Sequence, residues 1–277
     1  HEILGKPLVR WVVDAAHEAG IDSIVSIVGH GREQVEPLLS DTTMVVQEEQ
    51  LGTAHAVLVA KEALAEKSGS LVVLTGDSPL VRSSTIEELV RTREENNAAV
   101  VVLTMEALDP FGYGRIVRDD AGDVQEIVEQ KDCTSEQAQI TECNSGFYCF
   151  DIELLFSALE EVSTDNAQGE YYLTDVLGIA RKRGQRVLAL KAQDFTECLG
   201  VNSRIQLAQA TRILQQRINE AHMAAGVTMM DPTTTWIGPD VTIEQDVELL
   251  PMTLLLGSTS VATGSVVGPN SRLTDVV

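Results

Sequence analysis

The sequence predicts an α/β protein: a doubly wound, mostly parallel, Rossmann-like sheet domain followed by a parallel β-helix. Two features predict it. First, short runs that are apolar on both faces alternate with amphipathic stretches at helical spacing, as strands buried between layers of helices require. Second, the apolar period changes to six residues near the end of the chain. With 277 residues, 44% of them hydrophobic, there is material for one large core or two domains.

Pro7 suits the first turn of a helix over 8–19, which stops at Gly20. Residues 21–28 read as a strand, 33–39 as a short helix, 44–46 as a strand and 53–64 as a helix. Residues 71–74 and 98–103 are buried strands, separated by a helix over 83–94 capped by Ser83 or Ser84. Residues 115–118 and 124–128 flank Asp119-Asp120-Ala121-Gly122-Asp123, a hairpin signal, so antiparallel strands extend the sheet there. Strands at 147–150 and 187–190 bracket helices near 152–159 and 173–180.

Residues 205–225 form one long helix ending at Gly226. Beyond Asp231-Pro232, aliphatic residues recur every sixth position: Ile237, Ile243, Leu249, Leu255, Val261, Val267 and Leu273. Small or β-branched residues sit two positions before each, at Thr235, Val241, Val247, Thr253, Thr259, Ser265 and Ser271. Two registers in phase are the mark of a β-helix with one aliphatic residue per face pointing inward. The expected division is a sheet domain over 1–203, a linker helix over 204–230 and the start of the β-helix over 231–277.

Net charge is −22, from 42 acidic and 20 basic residues. That field excludes a nucleic-acid partner, whose affinity comes from Lys and Arg on phosphates. A small anion with a bound cation remains compatible. No apolar run is long enough to span a membrane, and no signal-peptide pattern opens the chain. The four cysteines, Cys133, Cys143, Cys149 and Cys198, form no CxxC pair and are expected as reduced thiols. A first residue His1 and a stop within the repeat suggest that both ends lie inside a longer protein.

Several residues carry chemical potential. Asp77 leaves a buried strand where open α/β sheets bind ligands. Its carboxylate suits Mg²⁺, or else it caps the following turn. Gly76 admits close backbone approach. Gly52-Thr53 at a helix start offers free N–H groups and a hydroxyl, or an ordinary cap. His55, inside that helix, reads as a packed histidine, and Gly29-His30-Gly31 as a loop. Gly112-Tyr113-Gly114 before a strand suits a loop pressed against a ligand, or a tight turn. Glu129, Lys131 and Asn144 offer hydrogen bonds to sugar hydroxyls or an acetamido group. Asn202 either caps the long helix or gives an oxygen to a metal. Walker, HExxH, GxSxG and complete GxGxxG motifs are absent.

Taken in order, these pieces resemble the family of bifunctional N-acetylglucosamine-1-phosphate uridylyltransferase/glucosamine-1-phosphate acetyltransferases. The resemblance rests on Gln47, Gln50-Leu51-Gly52-Thr53, Gly76-Asp77, Asp109-Pro110-Phe111-Gly112-Tyr113-Gly114-Arg115, Ile127-Val128-Glu129-Gln130-Lys131-Asp132, Asn144-Ser145-Gly146, Asn166-Ala167-Gln168-Gly169-Glu170-Tyr171-Tyr172-Leu173-Thr174-Asp175 and Gly200-Val201-Asn202, ahead of the hexapeptide repeat. It implies a nucleotidyltransferase domain and a left-handed β-helix. By the resemblance, Asp77 and Asn202 hold the catalytic Mg²⁺, and Gln47, Gly52 and Thr53 recognise uracil. Thr75 and Gly76 line the nucleotide. Gly114, Glu129 and Asn144 contact N-acetylglucosamine, with Tyr172 and Thr174 close by.

The implied reaction joins UTP and N-acetylglucosamine-1-phosphate to give UDP-N-acetylglucosamine and pyrophosphate. It implies a cytoplasmic homotrimer feeding peptidoglycan synthesis, using acetyl-CoA only in the intact protein, with neither nucleic-acid binding nor membrane insertion. The family's Gly-rich loop and Pro-Lys pair would lie upstream of His1, so no catalytic Arg or Lys is expected within the chain. Ala54 stands where the family often has Gly, and Ser203 where it often has Asn. Two alternatives are a nucleotidyltransferase for another sugar phosphate and a trimeric scaffold without catalysis.

Overall fold

The computed structural model describes residues 1–277. It forms two compact units: residues 12–199, and a second made of residues 1–11 with 200–277. The sequence reading places 1–11 with the sheet domain; contacts group this segment with the C-terminal unit. A short antiparallel hairpin, β1 (Glu2–Ile3) and β2 (Lys6–Pro7), precedes helix α1 (Leu8–Glu18).

Strand β3 (Val25–Val28) pairs in parallel with β4 (Thr43–Val46). The helix expected between them is two separate 3-10 turns, Arg32–Gln34 and Glu36–Leu38. Pro37, within the second turn, lacks the N–H that a continuous helix needs. Helix α2 (Thr53–Val59) is shorter than expected and leads to β5 (Ser70–Val73), α3 (Ser83–Glu95) and β6 (Val100–Glu106). The hairpin β7 (Arg115–Arg118) and β8 (Val124–Val128) follows, then β9 (Glu142–Asp151), α4 (Ile152–Leu159), α5 (Asp175–Lys182) and β10 (Val187–Lys191).

The main sheet runs β10-β6-β9-β7-β8, with β5 also on β9. It corrects the expectation of a mostly parallel sheet. Of its ladders only β10–β6 is parallel; β9 runs antiparallel to β5, β6 and β7, and β7 to β8. The cause is the hairpin, after which β9 returns through the middle of the sheet. An apolar run reports burial on both faces and carries no sign of strand direction. Alternate residues separate two cores. Val100, Val102, Tyr148 and Phe150 pack with α2, α4 and α5, while Val101, Leu103, Phe147 and Cys149 pack with α1 and α3. Helices therefore cover both faces, as a doubly wound arrangement requires.

Helix α3 starts without the expected serine cap; its boundary residue is Arg82, which makes no side-chain capping bond. Instead the buried Glu197 carboxylate accepts from the Arg82 backbone N–H at 3.3 Å and from Thr85 Oγ1 at 2.6 Å. A carboxylate there also complements the helix dipole.

In the second unit, Ser203 Oγ accepts from the Gln206 N–H at 3.2 Å and caps α6 (Arg204–Ala224). Eight short strands follow: β11 (Thr228–Met229), β12 (Trp236–Ile237), β13 (Thr242–Ile243), β14 (Glu248–Leu249), β15 (Leu254–Leu256), β16 (Ser260–Val261), β17 (Val266–Val267) and β18 (Arg272–Thr274). They form three parallel sheets. Trp236 pairs with Leu254 and Leu254 with Arg272, so one turn holds three six-residue faces. Ile237, Leu249 and Leu255 are fully buried, as are Thr235, Thr253 and Thr259 of the second register. The buried hydroxyls are satisfied: Thr253 donates to Leu250 O at 2.7 Å and Thr259 to Leu256 O at 2.6 Å. No helix is long and apolar enough to cross a membrane.

Asp151 carries two tasks at the end of β9. One oxygen accepts from the Leu154 N–H at 3.0 Å and caps α4, and the other pairs with the largely buried Arg93 of α3. Asp151→Ala removes the cap and strands a buried guanidinium. The expected cost is about 3–5 kcal/mol, read as a lower urea midpoint by circular dichroism.

Candidate active site

Most of the residues singled out from the sequence lie in the 12–199 unit, in three groups. The first lies at the turn between β4 and α2. The Gln47 N–H donates to the Val28 carbonyl at 2.8 Å and so extends the β3–β4 ladder. Gly52, at φ 118°, opens α2. A Cβ there would lie 2.5 Å from the Tyr171 carbonyl oxygen and 2.8 Å from its nitrogen, so only glycine fits. The contact is a ladder in miniature. Tyr171 N donates to Leu51 O at 2.8 Å, Ala54 N donates to Tyr171 O at 2.9 Å, and Leu173 N donates to Thr53 Oγ1 at 3.0 Å.

Gln47 Nε2 donates to the Gly52 carbonyl at 3.2 Å and contacts His55 Nδ1 at 3.0 Å. His55 is therefore a polar partner of a site residue rather than a packed core histidine. Beside them opens a cavity of about 550 Å³, lined by Gly29, His30, Gly31, Val46, Gln47 and Gln50 among others. Gly29-His30-Gly31 is a loop, as expected, and it forms one wall. A Cβ on Gly29 would sit 2.8 Å from Gln50 Nε2, so glycine makes room for that amide.

The second group surrounds Asn144 on β9. Its backbone N–H donates to the Gly114 carbonyl at 2.9 Å. Its side-chain oxygen accepts from the Gly146 N–H at 3.0 Å, and its Nδ2 donates to Tyr148 Oη at 2.6 Å. Because a backbone N–H can only donate, this pair fixes which end of the amide is oxygen. A Cβ on Gly114 would lie 2.9 Å from Ile127 Cγ2 and 3.4 Å from both Glu129 carboxylate oxygens. Glu129 accepts from the buried Thr174 Oγ1 at 3.4 Å. Burial raises its pKa above the ordinary value; Thr174 opposes that, and Asp132 and Asp175 add to it.

Asp77, Gly76 and Thr75 follow β5 and form the third group. Thr75 Oγ1 and Ser78 Oγ are 2.8 Å apart, and Ser78 Oγ donates to Asp77 Oδ1 at 3.4 Å. Thr75 Cγ2 lies 3.4 Å from where a Cβ on Gly146 would be, which brings this group against the Asn144 turn. Asp77 is half-buried and Gly76 exposed. Asn202 belongs to the other unit. Ser203, not Asn202, caps α6, and the Asn202 N–H donates to Gln206 Oε1 at 2.8 Å.

Nowhere does the chain gather three His, Cys, Asp or Glu side chains around a metal position. Asp77 offers a single carboxylate beside two hydroxyls. That donor set fits Mg²⁺, which takes one or two carboxylates and shares its remaining oxygens with substrate phosphates and water. It lacks the histidine or cysteine ligands on which zinc sites are chiefly built.

The nucleotidyl transferase family profile matches residues 2–235. The chain belongs to that family. The chain is 50% identical over 276 residues to the bifunctional protein GlmU of Halalkalibacterium halodurans, covering 99% of this chain and 61% of that one. It is 51% identical over 276 residues to the GlmU of Lactobacillus delbrueckii subsp. bulgaricus, covering 99% and 60%. It is 49% identical over 278 residues to the GlmU of Listeria monocytogenes serotype 4b, covering 100% and 61%. The chain thus spans about three fifths of the length of these relatives. Among solved structures, UDP-glucose pyrophosphorylase complexed with UDP-glucose superposes with a TM-score of 0.63 at 18% identity, covering 78% of this chain and 89% of that one. At that identity the likeness establishes the fold.

Sequence reasoning missed Tyr148, which orients Asn144, and the partnership of His55 with Gln47. Neither has a local signal, because each pair meets only when a strand or turn folds back. The raised pKa of Glu129 has a checkable consequence. Its protonated form is favoured in the folded state, so its contribution to stability is greatest below pH 4.5 and declines as pH rises above that value. Glu129→Gln keeps the shape and removes the titration. The variant is expected to melt higher than the parent at pH 7, with the gap closing towards pH 4, by differential scanning calorimetry.

Proposed function

We propose that this protein transfers UMP from UTP to N-acetylglucosamine-1-phosphate, yielding UDP-N-acetylglucosamine and pyrophosphate. The observation that supports this most is the convergence of the second group. An oriented Asn144 amide, a partly buried Glu129 carboxylate and a glycine at 114 converge beside β9. An oriented amide and an acceptor carboxylate are what a sugar bearing an acetamido group and hydroxyls requires. The GlmU relatives, about 50% identical, support the same reading.

In this reading the sugar-phosphate oxygen attacks the α-phosphorus of UTP and pyrophosphate leaves. Gln47, Gly52 and Thr53 hold the base at the turn that Tyr171 closes. Thr75 and Gly76 line the nucleotide, while Gly114, Glu129 and Asn144 place the sugar. Thr174 orients Glu129, and Tyr148 orients Asn144. Asp77 provides the carboxylate for Mg²⁺, and Asn202 is carried over as a further oxygen donor by resemblance to the family. When bound, the cation neutralises phosphate charge. Positioning and charge neutralisation are the main demands of phosphoryl transfer, and the chain's own groups are of that kind.

The parallel coil is read as the opening of a left-handed β-helix, with 204–230 as its linker helix. The whole protein is read as a cytoplasmic homotrimer with a second, acetyl-CoA-dependent activity outside this chain.

Pyrophosphate release from UTP and N-acetylglucosamine-1-phosphate with Mg²⁺ tests the assignment, using protein of the same length as the relatives. Asp77→Ala is expected to lower kcat by at least about a hundredfold while the fold is kept. Turnover with a different sugar phosphate, and none with this one, would overturn the assignment.

A further inference from the structure

Gln47 borders the cavity with an amide whose hydrogen-bonding capacity is already divided. Its Nε2 faces the Gly52 carbonyl at 3.2 Å, and a carbonyl can only accept. The nitrogen end of the amide is therefore fixed there. The same nitrogen lies 3.0 Å from His55 Nδ1, so Nδ1 must be the unprotonated, accepting nitrogen and the ring proton sits on Nε2. Both amide hydrogens are thus consumed inside the protein. Oε1 has no protein partner, and Gln47 lines the open cavity.

We propose that His55 is a specificity-determining positioning residue, which saturates the Gln47 amide hydrogens so that the cavity meets an acceptor only. This rests on the proposed reading of Gln47 as the residue that meets the base. Uracil carries an imino N–H between its two carbonyls, whereas cytosine has a bare ring nitrogen at that position. An acceptor-only Gln47 satisfies uracil and leaves two lone pairs facing each other with cytosine. A site built around a substrate N–H rejects the analogue lacking it strongly, because its own polar group is then buried unpaired. Without His55, only the Gly52 carbonyl opposes a flip of the amide, and a flipped Nε2 offers a hydrogen to the cytosine nitrogen. The remaining Gly52 bond still favours Oε1 towards the cavity when uracil is present, so affinity for uracil should change less than the preference.

Two measurements test the proposal. The first needs no ligand: long-range nitrogen–proton spectra of the His55 ring, recorded while the imidazole is neutral. An unprotonated Nδ1 and a protonated Nε2 are expected; a protonated Nδ1 overturns the proposal. The second is calorimetric binding of UTP and CTP, each with Mg²⁺, to the parent, His55→Leu and His55→Asn proteins. In His55→Leu the preference for UTP over CTP is expected to fall about tenfold, whereas His55→Asn, whose side-chain oxygen restores the acceptor, keeps most of it. An unchanged preference in a folded His55→Leu protein overturns the proposal while leaving the uridylyl reading intact. A parent that binds CTP as well as UTP overturns both.

Discussion

The sheet depends on the position of β9. It is hydrogen-bonded on both edges, to β6 on one side and to β5 and β7 on the other. Its residues 147–150 also bury side chains in both cores. A strand held in four directions has no freedom to slip, since a one-residue shift would exchange the two cores. Asn144 near one end and Asp151 at the other therefore inherit fixed positions. One meets the Gly114 carbonyl, and the other joins α3 to α4 through Arg93 and the Leu154 cap.

That constraint explains why the site's polar groups can be so fully specified. The ring of Tyr148 is buried and stacks on Phe150 with centroids 5.3 Å apart, so its hydroxyl is a fixed point for the Asn144 amide. Burial pushes the Tyr148 pKa up, and the hydroxyl therefore stays neutral and able to share a hydrogen bond. Glu129 is held the same way, between a glycine that gives it room and Thr174 at the start of α5. The segment 170–174 then connects this group to the Gly52 turn, because Tyr171 and Leu173 bond to Leu51, Thr53 and Ala54 while Thr174 bonds to Glu129. Displacing that segment would disturb both groups together.

Much of this was legible in the sequence, and the parts that were not share a cause. The six-residue period gave the buried ladder of Ile237, Leu249 and Leu255 because each face repeats the same local environment. The hairpin at 119–123 was legible because turn chemistry is local. The direction of β9 was not, since Phe147 to Phe150 are apolar whichever way the strand runs, and the polar Asn144-Ser145-Gly146 left its first half outside the strand expected at 147–150. Asp77 and Asn144 were legible as candidates by their place in motifs. His55 was not, because its partner Gln47 reaches it only across a turn that Gly52 makes possible.

The charge balance sets the remaining requirement. With a net charge of −22, the chain repels a triphosphate at long range, and many of its guanidinium groups are engaged elsewhere. Arg93 pairs with Asp151, Arg118 with Glu142, Arg181 with Asp119, and Arg82 with Asp194 and Glu197. Lys131, in one of the site motifs, donates to Gln168. On the proposed reading, the amides, hydroxyls and two carboxylates that this chain contributes do not themselves offset phosphate charge, and a bound cation would add what they lack. The single carboxylate of Asp77 suits that proposed role, because one carboxylate would leave most of a cation's coordination shell to phosphate oxygens and water.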